Sequence, residues 1–289
     1  MRASNLEIVR LNNLKLAAKI ISEQLKHGVH FGKRVGVGSE FEQYRYYEPG
    51  DDPKRIDWKY FSRSGKHMIK ESQTESHLNI RILLDLSGSM NYSENGIKRL
   101  DYANSLIASL AYLGNQQGDS LSFFTFQEGK IIQKVAPSPK SFQRIIYHLE
   151  EEKASGSWPV RKQDFPELKS RQKELIIFVS DFLQKESEWV DIVMQMRHPK
   201  KEIVLFQILG DQELDFNQKG NFKFQDLESD QVVTLDGDSV RKYYQAAIST
   251  YLEELEKSFQ LPQIHFYQVK LSDSISEVIS RFLDERSFS

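Results

Sequence analysis

The stretch of sequence that decides the fold is Ile80-Arg81-Ile82-Leu83-Leu84-Asp85-Leu86-Ser87-Gly88-Ser89-Met90. A short run of Ile and Leu is typical of a buried strand, and this one ends in Asp-x-Ser-x-Ser. In a central parallel strand these oxygens lie at the carboxyl end, where open α/β sheets bind ligands. One carboxylate and two hydroxyls on a tight loop can bind a hard cation such as Mg²⁺. The alternative is that Ser87 and Ser89 only cap a turn or a following helix.

Strands and helices alternate along the chain from residue 78 onward. The predicted strands span 78–85, 120–126, 130–135, 174–180, 203–209 and 263–269, with a weaker hairpin at 222–224 and 232–235. The predicted helices span 97–117, 141–152, 164–172, 186–196, 239–259 and 275–283. Such alternation implies right-handed crossovers, so we expect an α/β fold with a doubly wound, mostly parallel sheet and helices on both faces. The strand at 130–135 is predicted to pair antiparallel at an edge.

A second apolar strand, 174–180, also ends at an aspartate, Asp181. Because parallel strands present their carboxyl ends at one edge of a sheet, we expect Asp85 and Asp181 to lie close together. The loop that carries Ser157 falls between the two strands in sequence and could reach the same edge. The predicted metal ligands are Asp85, Ser87, Ser89, Ser157 and Asp181, with water completing an octahedron around Mg²⁺, or around Mn²⁺ or Ca²⁺. Two carboxylates at most neutralise such an ion, so it would still attract a carboxylate from a partner.

The first 76 residues differ from the rest of the chain. Apolar spacing between Leu6 and Lys26 predicts an amphipathic helix that packs on the main body, with a membrane-surface or partner helix as the alternative. Residues 27–75 interleave basic and aromatic residues with acidic ones, which favours a β-rich layer held by Arg–carboxylate pairs over a surface for single-stranded nucleic acid. We predict two domains: residues 1–76, with the helix and a small β-rich subdomain, and residues 77–289, with the α/β sheet.

The composition excludes several classes of protein. With 39% hydrophobic and 28% charged residues among 289, the sequence is typical of a globular protein. The absence of cysteine excludes disulfides, thiolate metal sites and cysteine nucleophiles. The formal net charge of −2 gives no general attraction for nucleic acid, and we expect none to bind. No apolar run reaches the roughly 18 residues of a membrane span and no signal-peptide core is visible, so a cytoplasmic location is expected.

Two resemblances to known families follow from these segments. Asp85-x-Ser87-x-Ser89, Ser155-Gly156-Ser157 and Ser180-Asp181 resemble the metal-ion-dependent adhesion site of von Willebrand factor A domains. The chain also resembles the bacterial DUF58 family, whose members carry an A-domain-like fold. This second resemblance rests on Gly38-Ser39-Glu40-Phe41, Arg45-Tyr46-Tyr47-Glu48-Pro49-Gly50-Asp51-Asp52, Arg55-Ile56-Asp57-Trp58, Ser62-Arg63, Asp226-Leu227-Glu228, Tyr243-Tyr244 and Phe282-Leu283-x-x-Arg286.

The resemblance implies a Mg²⁺ site and a protein partner. Members of the DUF58 family are typically encoded beside MoxR-type AAA+ ATPases, so such an ATPase or its client is the implied partner. One departure concerns the second metal loop, which in A domains usually supplies Thr. Here Ser157 is the best match and Ser155 is the alternative.

The leading hypothesis from sequence is a non-catalytic, Mg²⁺-dependent protein-binding module that is not an enzyme and that recruits an acidic residue of its partner. The alternative is a metal-dependent phosphoesterase or nuclease that uses the same Asp and Ser residues. The sequence offers no obvious general base beside Asp85 and no second Asp two residues after it, which favours the binding module.

Overall fold

The structure is a computed structural model that describes residues 4–11, 13–28, 42–48, 51–72, 78–127, 130–156, 173–183, 188–216, 220–225 and 232–287. The chain forms two compact units. Unit 1 comprises Met1–His30 and Leu78–Ser289, and unit 2 comprises Phe31–His77.

The helices and strands are numbered in chain order over the described residues. The helices are α1 (Asn5–Arg10), α2 (Leu14–Gly28), α3 (Trp58–Ser64), α4 (Arg99–Gln116), α5 (Phe142–Glu151), α6 (Glu188–Met196), α7 (Asp211–Asp215), α8 (Gly237–Phe259) and α9 (Ile275–Ser287). The strands are β1 (Glu42–Tyr46), β2 (Met68–Ser72), β3 (Asn79–Asp85), β4 (Ser93–Glu94), β5 (Ile97–Lys98), β6 (Ser120–Gln127), β7 (Lys130–Ser138), β8 (Glu174–Ser180), β9 (Lys201–Leu209), β10 (Asn221–Gln225), β11 (Val232–Asp236) and β12 (Ile264–Lys270). Short 3₁₀ helices span Pro53–Arg55 and Gly88–Asn91.

A six-stranded sheet forms the centre of unit 1 among the described residues, in the order β7-β6-β3-β8-β9-β12. Its pairs are parallel except for β6 with β7, which is antiparallel. The chain enters the sheet at the inner strand β3, adds β6 and β7 on one side, and then adds β8, β9 and β12 on the other side. This confirms the predicted doubly wound sheet with one antiparallel edge strand, a vWA/Rossmann-like arrangement. The order reverses between β3 and β8, which is the position where such sheets bind ligands.

Helices pack on both faces of this sheet. Successive side chains of a strand point to opposite faces, so Ile80 and Leu83 of β3 face different layers. Leu83 belongs to a buried cluster that includes Trp189 of α6 and Phe259 of α8. On the other face α4 lies so close that a Cβ added at Gly114 would be 2.9 Å from Ile80 Cδ1. A glycine at this position therefore allows α4 to approach the sheet.

The N-terminal segment forms two helices, α1 and α2, where the sequence predicted one. Leu11 is the C-cap of α1, and its N–H donates to the carbonyl of Ile8, whereas Asn13 Oδ1 accepts a hydrogen bond from the backbone N–H of Leu16. Helix α2 packs against α4, α5 and α9, which confirms the prediction that it packs on the main body. Helices α1 and α2 belong to unit 1, and the predicted division into domains 1–76 and 77–289 stays a prediction.

Unit 2 contains an antiparallel pair, β1 and β2, with a 3₁₀ turn and α3 between them. The acidic residues here satisfy backbone donors: Asp52 Oδ1 accepts from Lys54 N–H, and Asp57 Oδ1 accepts from Tyr60 N–H at the start of α3. Gly65 ends α3 with φ = 68°, a left-handed conformation that suits glycine.

Two further points concern elements predicted from sequence. The helix predicted at 164–172 lies outside the described residues. Over the described parts of the chain, no helix combines the length and the apolar character needed to cross a membrane.

Candidate metal-binding site

Asp85 is the last residue of β3 and its side chain is completely buried. Its Oδ1 accepts a hydrogen bond from the backbone N–H of Ser87 (2.8 Å), and its Oδ2 accepts one from the Ser180 hydroxyl (2.6 Å). The two bonds come from the loop after β3 and from the end of the neighbouring strand β8. They fix the orientation of the carboxylate at the point where the strand order reverses.

The loop after β3 holds two hydroxyls side by side. Ser87 Oγ and Ser89 Oγ are 2.9 Å apart. Ser87 is the N-cap residue of the 3₁₀ helix Gly88–Asn91, but its hydroxyl makes no capping hydrogen bond. The alternative that the Ser87 hydroxyl caps this helix is therefore not supported. The two hydroxyl oxygens lie in the loop that follows Asp85, at a spacing that allows both to bind one ion.

Asp181 directly follows β8 and is completely buried as well. Arg99 Nη1 donates to its Oδ2 (2.5 Å), and the backbone N–H of Leu183 donates to its Oδ1 (3.2 Å). The next residue, Phe182, has φ = 51°, which is rare for a bulky side chain and marks local backbone strain. The carboxylate of Asp181 is thus held by Arg99 of α4 and by the backbone that follows β8.

The carboxylates of Asp85 and Asp181 lie close enough to repel each other. Burial, together with the negative charge of Asp181, raises the pKa of Asp85 from 3.8 to about 7. The same Arg99 nitrogen that contacts Asp181 also donates to the Ser89 carbonyl (2.9 Å), so the Ser89 loop and Asp181 meet at one atom. The structure thus brings Asp85, Ser87, Ser89 and Asp181 together, as the strand-end argument predicted.

A second loop reaches the same place from the segment after α5. Its backbone is joined to the loop after β3 by two hydrogen bonds, Ser155 N–H to Leu86 O and Gly88 N–H to Gly156 O, both 2.8 Å. Ser157 lies outside the described residues, so its role as a ligand stays a prediction. The alternative residue, Ser155, is exposed, and its hydroxyl accepts a hydrogen bond from Gln127 Nε2 (2.7 Å).

Sequence reasoning missed the cation beside the site, Arg99. Its side chain is 1% exposed and pairs with Asp181 and with Glu213 of α7. The Arg99 guanidinium carbon also lies 4.9 Å from the centre of the Tyr92 ring. One signal was available: Arg99 begins α4, where the helix dipole disfavours a cation, so an Arg at that position indicates acidic partners from elsewhere.

The carboxylate and hydroxyl oxygens of Asp85, Ser87, Ser89 and Asp181 are of the types that bind a hard divalent cation. For metal–oxygen bonds of about 2.1 Å, adjacent ligands of an octahedron are about 3.0 Å apart, close to the Ser87 Oγ–Ser89 Oγ distance. A divalent ion would also offset the repulsion between Asp85 and Asp181. Within the described ranges, no group of three or more His, Cys, Asp or Glu residues is placed to hold a metal, so a site here depends on hydroxyls as well as carboxylates.

A family model described as "Protein of unknown function DUF58" matches residues 43–253 of the chain. The chain belongs to the DUF58 family. The match covers unit 2 from β1 onward and most of unit 1, including Asp85, Asp181 and Arg99.

Relatives of this DUF58 protein occur in mycobacteria. The uncharacterized proteins Mb1516 of Mycobacterium bovis and Rv1480 of Mycobacterium tuberculosis are each 22% identical to it over 224 residues. The alignments cover 76% of this chain and 70% of each relative.

Three solved structures are similar to this DUF58 protein. The conserved hypothetical protein BatB from Bacteroides thetaiotaomicron has a TM-score of 0.45 and 13% identity, over 73% of this chain and 100% of BatB. An aerotolerance-related membrane protein from Bacteroides fragilis has a TM-score of 0.45 and 14% identity, over 72% and 99%. The SpRpn10 VWA domain has a TM-score of 0.41 and 10% identity, over 70% and 94%. The fold assignment itself rests on the strand order and on the family match.

Proposed function

We propose that this DUF58 protein is a non-catalytic protein-binding module whose contact with its partner depends on a divalent cation. Asp85, Ser87, Ser89 and Asp181 would hold Mg²⁺, with Mn²⁺ or Ca²⁺ as alternatives, and Ser157 or Ser155 would complete the set. When bound, the ion would supply a positive charge with open positions that a carboxylate of the partner can fill.

One observation carries this proposal: two buried carboxylates and two adjacent hydroxyls meet at the switch point of the sheet. Burial, together with the negative charge of Asp181, disfavours the ionised form of Asp85, as its raised pKa indicates. Such an arrangement is expected where a cation is to be bound, because the cation removes the repulsion. Neutral serine ligands add no further negative charge, so the ion keeps its attraction for an external acid.

The hydrogen bonds of the carboxylates favour binding over hydrolysis. A general base must be free to accept a proton from an attacking water. Asp85 already accepts bonds from Ser87 N–H and the Ser180 hydroxyl, and Asp181 is paired with Arg99. Both carboxylates are therefore held in fixed orientations, which suits a metal ligand better than a general base.

We further propose that the protein acts in the cytoplasm and that its partner is a MoxR-type AAA+ ATPase or a client of that ATPase. The support for this partner is the family membership, together with the expected chemistry of the site, which selects an exposed Asp or Glu on the partner.

Affinity capture from an extract of the native cell tests the proposal. The wild-type protein, Asp85→Ala and a control that removes an exposed acid, Glu256→Ala, are each used in Mg²⁺ and in chelator. We expect the wild type and Glu256→Ala to retain an AAA+ ATPase in Mg²⁺ only, and Asp85→Ala to lose it. Equal retention under all conditions, or Mg²⁺-dependent phosphoester hydrolysis that Asp85→Asn abolishes, would contradict the proposal.

A further inference from the structure

Among the described residues, Arg99 is a buried cation that contacts the candidate metal site directly. Its Nη1 donates both to the Asp181 carboxylate and to the Ser89 carbonyl, and its Nη2 contacts the Glu213 carboxylate. Arg99 is 1% exposed, so water screens these interactions weakly. A full positive charge is thus fixed at the edge of a site that would bind another cation.

Glu213 offsets part of this charge from the outer side. Its Oε2 accepts a hydrogen bond from Gly210 N–H (2.7 Å) as well as from Arg99, which anchors it at the start of α7. Its backbone carbonyl accepts a bond from the Tyr244 hydroxyl of α8 (2.9 Å). Arg99 therefore lies between one carboxylate that belongs to the site, Asp181, and one that lies outside it, Glu213.

We propose that Arg99 is a positioning residue that lowers the affinity of the site for its cation and preserves the charge of that cation for the partner. Arg99 holds the Oδ2 atom of Asp181, so this oxygen is committed to the guanidinium. Arg99 also compensates the negative charge of Asp181, so a bound divalent ion is left with more of its own charge. This inference rests on the proposed function, since it concerns the same site.

The proposed electrostatic role and a purely structural role predict changes of opposite sign in cation affinity when the Arg99 charge is lost. If the ion pair between Arg99 and Glu213 only stabilised the fold, every change at either residue would weaken metal binding in proportion to the stability lost. An electrostatic role predicts that loss of the Arg99 charge strengthens cation binding and loss of the Glu213 charge weakens it. The two residues are in contact, so their effects on stability should be of the same sign while their effects on binding are opposite.

The test is a titration of the full-length protein with Mn²⁺ alone, with free Mn²⁺ measured by electron paramagnetic resonance and melting temperatures measured in chelator. The variants are Arg99→Gln, which removes the charge, Arg99→Lys, which keeps it, and Glu213→Gln, which keeps the shape of the side chain. We expect Arg99→Gln to bind Mn²⁺ about tenfold more tightly than Arg99→Lys, and Glu213→Gln to bind about tenfold more weakly than the wild type, although all three melt lower than the wild type.

The outcomes separate this inference from the function on which it rests. If the wild type binds no Mn²⁺, the proposed function fails and the inference fails with it. If the wild type binds Mn²⁺ but Arg99→Gln binds no more tightly than Arg99→Lys, the inference alone is overturned. Should Arg99→Gln not fold, Glu213→Gln is compared with Ile21→Ala, a core variant of α2 that is expected to be destabilised without loss of charge. Weaker Mn²⁺ binding by Glu213→Gln than by Ile21→Ala supports the role of Arg99, and equal or tighter binding overturns it.

Discussion

At the scale of single residues, Asp85 is a fully buried acid whose ionised form is disfavoured by burial. It lies beside Asp181, and hydrogen bonds from the Ser180 hydroxyl and from Ser87 favour its ionised form. The strand-end argument could predict this pair because it needs only two apolar runs that each stop at Asp. It could not predict that Arg99 pairs with Asp181, since these residues are 82 positions apart and the place of Arg99 at the start of α4 indicates acidic partners without naming them.

Asp85 should make the stability of the metal-free protein depend on pH. In the folded state its pKa, about 7, exceeds the ordinary 3.8, so the folded protein binds a proton that the unfolded chain has already released. The free energy of unfolding in chelator should therefore fall by about 1 kcal/mol, relative to Asp85→Asn, as the pH rises from about 6 to about 8. Urea unfolding at both pH values measures this difference. Parallel behaviour of wild type and Asp85→Asn would show that Asp85 is not the group responsible.

A second buried charge pair, Arg81 with Glu174, joins β3 to β8 at the opposite end of these strands. Arg81 Nε donates to Glu174 Oε1 at 3.0 Å, and both side chains are almost completely buried. Glu174→Gln leaves the guanidinium without its counter-charge and should destabilise the protein by about 3 kcal/mol. The double variant Arg81→Met with Glu174→Leu removes both charges and should recover most of that loss in urea unfolding. A double variant no more stable than Glu174→Gln would contradict this account.

At the scale of elements, apolar periodicity predicted most helices and strands of unit 1 closely. The strand predicted at 174–180 has those bounds in the structure, and the weak hairpin forms as β10 with β11. Helix α8 starts at Gly237 after Asp236, two residues before the predicted start, because a run of polar residues offers several equivalent N-caps. Short α7 was missed, since five residues cannot show a helical period.

The contact of α2 with the main body can be tested on opposite faces of that helix. Ile21 is fully buried, whereas Leu16 is 44% exposed. Ile21→Ala should lower the free energy of unfolding by roughly 2–4 kcal/mol, and Leu16→Ala should lower it by less than about 1 kcal/mol. Chemical unfolding of the two variants provides the comparison. Similar losses from both would mean that α2 is not held by its buried face.

At the scale of the whole molecule, topology follows from the alternation of strands and helices, because crossover rules leave few arrangements for such a chain. The place of the N-terminal helices in unit 1 depends on packing between distant segments. The N-terminal helices precede the polar segment in sequence, but their apolar faces are complementary to α4 and α9, and Asn5 Nδ2 donates to the carbonyls of Leu271 and Asp273. Contacts between such distant residues are set by the packed structure and leave no local signal.

The central claim is that Asp85, Ser87, Ser89 and Asp181 form the ligand set of a divalent cation. The most direct measurement is anomalous X-ray diffraction from crystals of the protein grown with Mn²⁺, compared with crystals of Asp85→Ala. The account predicts an anomalous peak within coordination distance of the Asp85 carboxylate and of the Ser87 and Ser89 hydroxyls, and no such peak in the variant. A well-ordered loop after β3 with no peak at these oxygens, or a peak unchanged in Asp85→Ala, would contradict it.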